Sequence, residues 1–274
     1  MIRILSILVG LFFTVALAWS LLTGLLDFEL PHTVEHEFHE HPKELHLASD
    51  GAFGKFDRQQ LQRGFQVYKE VCAACHSLRH VAFRDLAALG YNEAEVKAIA
   101  VGYQVDGIDP NTGEATTRVG MPTDYFPLAF PNDVAARAAN NNAIPPDLSL
   151  MTKARHNGAA YVYSLLSGYQ DPPAALPEDN RPGEGLYYNP YFANLNLAMA
   201  PPLNEGIVSF GDGTKSTVEQ MSKDVAAFLV WTAEPKLEKR KQTGLPVLGF
   251  LLFATILGFL SYKSIWADKK KKKG

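Results

Sequence analysis

Two long apolar runs stand at the ends of the chain, and the segment between them carries shorter, mixed patterns. The first run extends from Ile4 to Leu26, with Arg3 before it and Asp27 after it. A helix needs about 20 apolar residues to cross a bilayer, so this run predicts a helix of membrane length. Two readings stand for residues 1–27. Ala16-Leu17-Ala18 fits the small-residue pattern of a cleaved secretory signal, whereas Trp19-Ser20-Leu21-Leu22 continues apolar past that point, as a retained anchor would. Both readings export the central part of the chain. The second run, Leu245 to Tyr262, predicts a membrane helix over 241–264 and a lysine-rich tail over 265–274. Lysines clustered just past a span mark the cytoplasmic side.

Between the runs, three segments have helical spacing. Leu61, Phe65, Tyr68 and Cys72 recur on one face over Asp57–Val71, with Asp57 placed as N-cap. Gly64 interrupts that helix at a cost of about 1 kcal/mol against Ala, which marks close approach of a second helix. The partner is Thr217–Thr232, whose apolar stripe is Val218, Met221, Val225, Phe228 and Leu229, with Ser216 and Glu219 forming a capping box before it. Glu93–Val101 is a third, short helix. No β-strand run stands out. Gly102–Pro131 carries Gly, Asp, Asn and Pro turn signals, and Gln170–Pro202 holds seven prolines. Loops this long in a compact domain are usually functional. These features divide the chain into a polar, histidine-rich linker over 28–55 and a domain over 56–240.

Composition narrows the chemistry. A net charge of −3 with no basic stripe argues against nucleic acid as a partner. The linker holds His32, His36, His39, His41 and His46, but no fixed metal-ligand spacing is kept. The chain has only two cysteines, too few for a disulfide framework. They stand in Cys72-Ala73-Ala74-Cys75-His76, the C-x-x-C-H pattern of c-type haem attachment. Each sulfur would add to one porphyrin vinyl group, and His76 would reach the iron. A redox dithiol or half a zinc site can also use C-x-x-C. However, the preceding segment reads as helix, not strand, and no second cysteine pair exists to complete a zinc site. For the other face of the iron the candidates are Met121, Met151, Met199 and Met221, with His80 and His156 as alternatives. A methionine there raises the potential and favours electron transfer. Met199, between small residues and before Pro201-Pro202, ranks ahead of Met121. Haem propionates need partners when buried. Arg155 and Arg118 are candidate cations, and Tyr161 and Asn140 candidate donors.

The segments Arg63–Tyr68, Cys72–Ser77, Asp124–Pro127, Ala135–Asn141, Pro145–Ser149, Ala154–His156, Tyr161–Tyr169, Tyr188–Phe192, Ala198–Pro202, Lys223–Val225 and Trp231–Pro235 together resemble the cytochrome c1 family. This is the haem-bearing subunit of ubiquinol–cytochrome c oxidoreductase, and the uninterrupted motifs resemble its bacterial members. The resemblance implies one covalent haem c on Cys72 and Cys75, with His76 and Met199 as iron ligands. It implies that Arg155 and Tyr161 face the propionates, with Asn140 nearby, and that Pro145 and Pro146 pack beside the haem. Asn142 stands where the family commonly has Gly, and Phe192-Ala193-Asn194 replaces Phe-Pro-Gly; both changes bear on loop shape.

The expected fold is mainly α: a c-type cytochrome domain with long haem-wrapping loops, a C-terminal transmembrane helix and the N-terminal apolar helix. The expected setting is a bacterial inner membrane, with the haem domain in the periplasm and the tail in the cytoplasm. The expected role is that of a redox subunit, not an enzyme by itself. It would work beside cytochrome b, take electrons from a Rieske iron–sulfur protein and pass them to a c-type cytochrome. Exposed Asp106, Asp109 and Glu114 could steer a basic acceptor or be plain solvated loop residues.

Overall fold

A computed structural model describes residues 2–26 and 33–271. The chain forms two units, one through Phe38 and one from His39 onward. In the first, α1 (Ile2–Leu26) buries no residue, and an 18-residue stretch of it has mean hydropathy 2.3, enough for a membrane span. The short α2 (Val34–Phe38) comes next.

The second unit is built on two crossed helices, α3 (Arg58–Glu70) and α8 (Val218–Ala233). The apolar stripes expected of both segments form this contact, through Leu61, Phe65 and Tyr68 on α3 and Met221, Val225 and Phe228 on α8. The Phe228 ring lies 5.7 Å from Phe65 and 5.9 Å from Tyr68. Gly64 allows the approach: a Cβ there would stand 2.1 Å from the Asp224 carbonyl oxygen. Asp57 caps α3 by accepting from the amides of Gln59 and Gln60. The cap of α8 is Thr217, which accepts from Gln220, so the expected Ser216 capping box is not formed. Its place in the sequence is shifted by one residue, because Thr217 is the last residue with extended backbone.

The Arg63 side chain crosses the same interface. Its Nε donates to Asp224 at 2.7 Å and its Nη1 to Asp212 at 2.7 Å. Asp224 is fully buried and also accepts from Gln60 and Gln220. This set of donors on one carboxylate offsets the cost of burying its charge.

Around this pair lie α4 (Glu93–Val101), as expected, then α5 (Asp133–Ala139), α6 (Met151–Ala154) and α7 (Gly158–Leu166). Contrary to the expectation of no strand, β1 (Gln104–Ile108) and β2 (Ala115–Val119) pair antiparallel as a hairpin. Val105 is its only buried residue, so the alternation that announces a half-buried strand is missing. A second, two-residue ladder joins β3 (Tyr187–Tyr188) to β4 (Asn196–Leu197).

Of the expected linker, residues 28–32 lie outside the described part, His32 among them. From Glu40 the segment is not a free linker but rests on the domain. Glu40 N donates to Pro190 O, Lys43 N to Ser164 Oγ, and Leu47 and Ser49 are buried. Among the described residues no group of three His, Cys, Asp or Glu side chains is placed to hold a metal ion. The chain then ends in α9 (Leu237–Lys271), one continuous helix that includes Pro246 and most of the expected tail. Within Leu237–Ala267 an 18-residue apolar stretch has mean hydropathy 2.1 and no buried residue.

Candidate functional site

The last turn of α3 leads directly into a 3₁₀ turn, Cys72–Ala74. The amides of Cys75 and His76 both donate to Cys72 O, at 3.1 and 2.8 Å. One tight turn thus holds both sulfurs and the imidazole together. The two thiols are not joined to each other. Burial, and next the neighbouring Cys75, push the Cys72 thiol up to about 12. A dithiol enzyme needs a thiolate, so this environment opposes that alternative.

His76 is fixed by the segment Pro145–Ser149. Its Nδ1 lies 2.8 Å from Pro146 O. A carbonyl only accepts, so Nδ1 carries the proton and Nε2 keeps its lone pair. Burial holds the imidazole pKa below its ordinary value, which keeps the ring neutral. Four further bonds join the same two segments. Leu148 N donates to Ser77 O, Arg79 N to Asp147 Oδ2, His80 N to Ser149 Oγ, and the Arg79 guanidinium pairs with Asp147 at 3.3 Å. Hydrogen bonds hold the Asp147 carboxyl below the usual range despite burial that opposes them. On the other side Tyr68 Oη donates to His76 O at 2.9 Å.

Of the candidate methionines, Met221 and Met151 are core residues, and Met121 is 49 % exposed beside the β1–β2 hairpin. Met199 is half-buried in the proline-bearing loop, where Tyr169 Oη donates to its carbonyl at 3.0 Å. His80 and His156 are exposed. Proline-rich backbone lacks donors, and here side chains supply them. Arg181 donates to Pro173, Ala174 and Leu176 carbonyls, and Asn196 Nδ2 to Asn180 O.

The structure brings Arg155 and Tyr161 near one another: burial pushes the phenol pKa up, and the guanidinium charge opposes that push. Tyr169 lies within electrostatic reach of Tyr161, with burial the larger reason that its own pKa is raised. So Arg155, Tyr161 and Tyr169 lie near one another, and Tyr169 is bonded to the Met199 backbone. Asn140 spends its amide on Ala136 O of its own helix, and no bond joins it to that set. Pro145 is half-buried and Pro146 exposed. Arg118, a candidate cation, is taken by Asp124 in a bidentate pair of 2.6 and 2.7 Å, so it is removed from the candidates.

Asn142 has φ +63°, a left-handed conformation that Gly adopts freely and Asn tolerates. That accounts for Asn where Gly is common. Leu195, just after the altered Phe192-Ala193-Asn194, is buried with φ +65°.

The donor set fits a c-type haem. It offers two unpaired thiols in one turn, an imidazole with its free nitrogen set by Pro146, and a thioether in a braced loop. Asp147, Ser149, Ser77 and Tyr169 tie these segments together through their hydrogen bonds, and no motif in the sequence singles them out by itself. A signal for the first two was present, since Asp-x-Ser after Pro-Pro is a turn pattern; Asp147 Oδ1 does accept from Ser149 N.

Comparison with known proteins points the same way. Residues 47–269 match the model of the Cytochrome C1 family. A protein named cytochrome c1 in Rhodospirillum rubrum is 43% identical over 232 residues, covering 80% of this chain and 85% of its own. Cytochrome c1-2, heme protein, mitochondrial, of Solanum tuberosum is 46% identical over 224 residues, 81% of this chain and 84% of its own. Cytochrome b/c1 of Bradyrhizobium diazoefficiens is 45% identical over 239 residues, 80% of this chain but only 34% of that longer protein. The relatives thus include both bacterial and mitochondrial proteins. A helical domain with this motif, two apolar helices and a family match over most of its length leave one assignment: the chain belongs to the cytochrome c1 family.

Proposed function

We propose that the chain is the membrane-anchored electron-relay subunit of a quinol–cytochrome c oxidoreductase. It takes electrons from a Rieske iron–sulfur protein and passes them to a c-type cytochrome, with cytochrome b as its membrane partner. Cys72 and Cys75 would hold one haem covalently, with His76 and Met199 as the iron ligands. The haem, when bound, supplies a reversible one-electron couple; all other work falls to the chain.

The observation that carries this reading is the His76–Pro146 bond at 2.8 Å. It fixes the tautomer that presents Nε2 and orients the ring, as outer partners of metal-bound histidines do. The clamp around Asp147 then prevents the imidazole from swinging away. Tyr169 holds the Met199 backbone, while Arg155 and Tyr161 supply a cation and a phenol for the propionates. Asn140, Pro145 and Pro146 would line the same pocket. Phe65, Phe126 and Tyr68 keep water from the inner side. The haem domain would face the periplasm of a bacterial inner membrane, with the lysine cluster at the far end of α9 in the cytoplasm. Asp106, Asp109 and Glu114 lie on or beside the β1–β2 hairpin; Asp109 also organises its turn by accepting from Asn111.

The test is a haem stain on a denaturing gel, followed by replacement of Met199 with Leu. A stained band is expected, and Met199→Leu should abolish the near-infrared methionine–iron band and lower the potential. A band without haem defeats the whole reading. An unchanged potential with the near-infrared band retained defeats the ligand assignment alone.

A further inference from the structure

Among the described residues, the loop between Ser49 and Phe56 presents an aromatic side chain at the domain's base that nothing in the fold accounts for. Phe53 is 78 % exposed. It does not sit on a mobile tip. Lys55 N donates to Ala48 O and closes the loop, Asp50 N donates to Leu47 O, and the Asp50 carboxylate accepts from Leu47 N at 2.8 Å. Gly54 packs so tightly that a Cβ there would lie 2.0 Å from Asp50 O. The backbone is therefore rigid while its phenyl ring faces out.

The position of this loop is set by α9. At one end Lys241 Nζ donates to Ser49 O, and at the other Phe56 N donates to Glu238 Oε1, which shares its carboxylate with Arg58. Glu238 and Lys241 are one turn apart, so both ends of the loop are fastened to a single turn of α9. The unbroken apolar run of α9 begins at Leu245, about 6 Å further along at 1.5 Å per residue. That distance places the loop at the level where a bilayer's headgroups surround the helix, since the polar zone adds several ångström to each side of the hydrocarbon.

The charges at this level are predominantly basic, though Asp50 and Asp57 are also exposed there. Arg240 is paired with Glu234, and Lys241 is used on Ser49 O. Lys55, Lys236 and Lys239 are exposed and make no ion pair among the described residues. Of the acids beside them, Glu234 and Glu238 are ion-paired, Asp50 accepts from Leu47 N and Asp57 caps α3.

We propose that the Ser49–Lys55 loop is a membrane-surface contact: Phe53 enters the headgroup zone of the bilayer and Lys55, Lys236 and Lys239 lie on lipid phosphates. Aromatic rings at the interface and basic residues against anionic headgroups are the side chains that this zone selects. The contact continues the surface that α9 already presents to lipid and gives the domain a second point of support. The haem domain would then be held at a fixed tilt, which one helix alone does not impose. This rests on the reading of α9 as a membrane span.

The test uses the assembled complex in vesicles of phosphatidylcholine with phosphatidylglycerol. A spin label is attached at Phe53→Cys, at Leu252→Cys within α9, or at Gln59→Cys on the exposed side of α3. Power saturation compares access to oxygen with access to a water-soluble nickel chelate. Position 53 should favour oxygen several-fold over position 59, and Leu252→Cys should favour it still more. If position 53 matches position 59, or is closed to both reagents because a protein covers it, the proposal fails. If Leu252→Cys shows aqueous access, the span reading fails instead. An unchanged haem spectrum reports folding of each variant, and Ala52→Cys on the same tip replaces any variant that misfolds.

Discussion

Gly64→Ala is the sharpest probe of the helix crossing on which the haem motif is mounted. The added Cβ would lie 2.1 Å from Asp224 O and 2.7 Å from Phe228 Cβ. Neither atom can be relieved by a rotamer change: one is backbone, and the other is the first side-chain carbon of a fully buried ring. Opening the gap to an ordinary 3.4 Å contact requires α3 and α8 to separate by more than 1 Å. That separation would loosen Phe65 and Tyr68 against Phe228 and stretch Arg63 from the buried Asp224. Overpacking of this kind costs about 3 kcal/mol. Alanine's better helix propensity offsets about 1 kcal/mol, leaving a net loss of ~2 kcal/mol. For a domain of this size the apparent Tm should fall by about 4–8 °C. The assay is a thermal melt of the assembled complex followed by haem absorbance, with Gln59→Ala on the exposed side of the same helix as control. A Gly64→Ala melt at or above the wild-type temperature would refute the close crossing, because propensity alone would then be acting.

Other outcomes depend on single bonds. Asp147→Ala removes the acceptor for Arg79 and Ser149 and should cost ~2 kcal/mol, read as a lower ratio of haem to polypeptide on purification. Tyr169→Phe deletes the donor to Met199 O; the loss of ~1 kcal/mol should let added imidazole displace the methionine about fivefold more readily, and unchanged displacement would show that the bond does not support the ligand. Arg118 holds the Asp124 carboxyl down at about 2, from an ordinary 3.8. A depressed folded-state pKa gives stability that is present above the unfolded value and lost as pH falls through the folded one. Amide exchange of residues 115–124 should therefore rise between about pH 4 and pH 2, and Asp124→Asn should remove that pH dependence, whereas parallel profiles would contradict it.

How far the sequence disclosed this arrangement depends on the range over which each signal acts. The α3–α8 pair was legible because both stripes are long and periodic, and because Gly64 has a local cost that only a neighbour explains. Cys72–His76 stood out because the attachment pattern occupies five consecutive residues, and the structure gathers those residues in one tight turn. The β1–β2 hairpin escaped because its residues face water on both sides, so no alternation was selected. The same holds for the base of the domain. Residues 40–55 look like a polar linker because many of their contacts are made through backbone groups, to Pro190, Ser164 and Lys241, and backbone groups leave no mark on composition, while Leu47 alone is too sparse an apolar signal to announce packing. The clamp on His76 is intermediate. Pro145-Pro146 announces a rigid turn, yet which carbonyl meets Nδ1 depends on a fold that joins residues 70 positions apart. Rigidity explains why that task falls to a proline segment. Pro146 can direct its carbonyl at His76 because its own φ is fixed, and Asp147 and Ser149 then tie the loop to the strip after the motif. If His76 ligates the iron as proposed, an imidazole held from behind this firmly would have little freedom to reorganise when the iron changes charge, which is what fast electron transfer asks of its ligands.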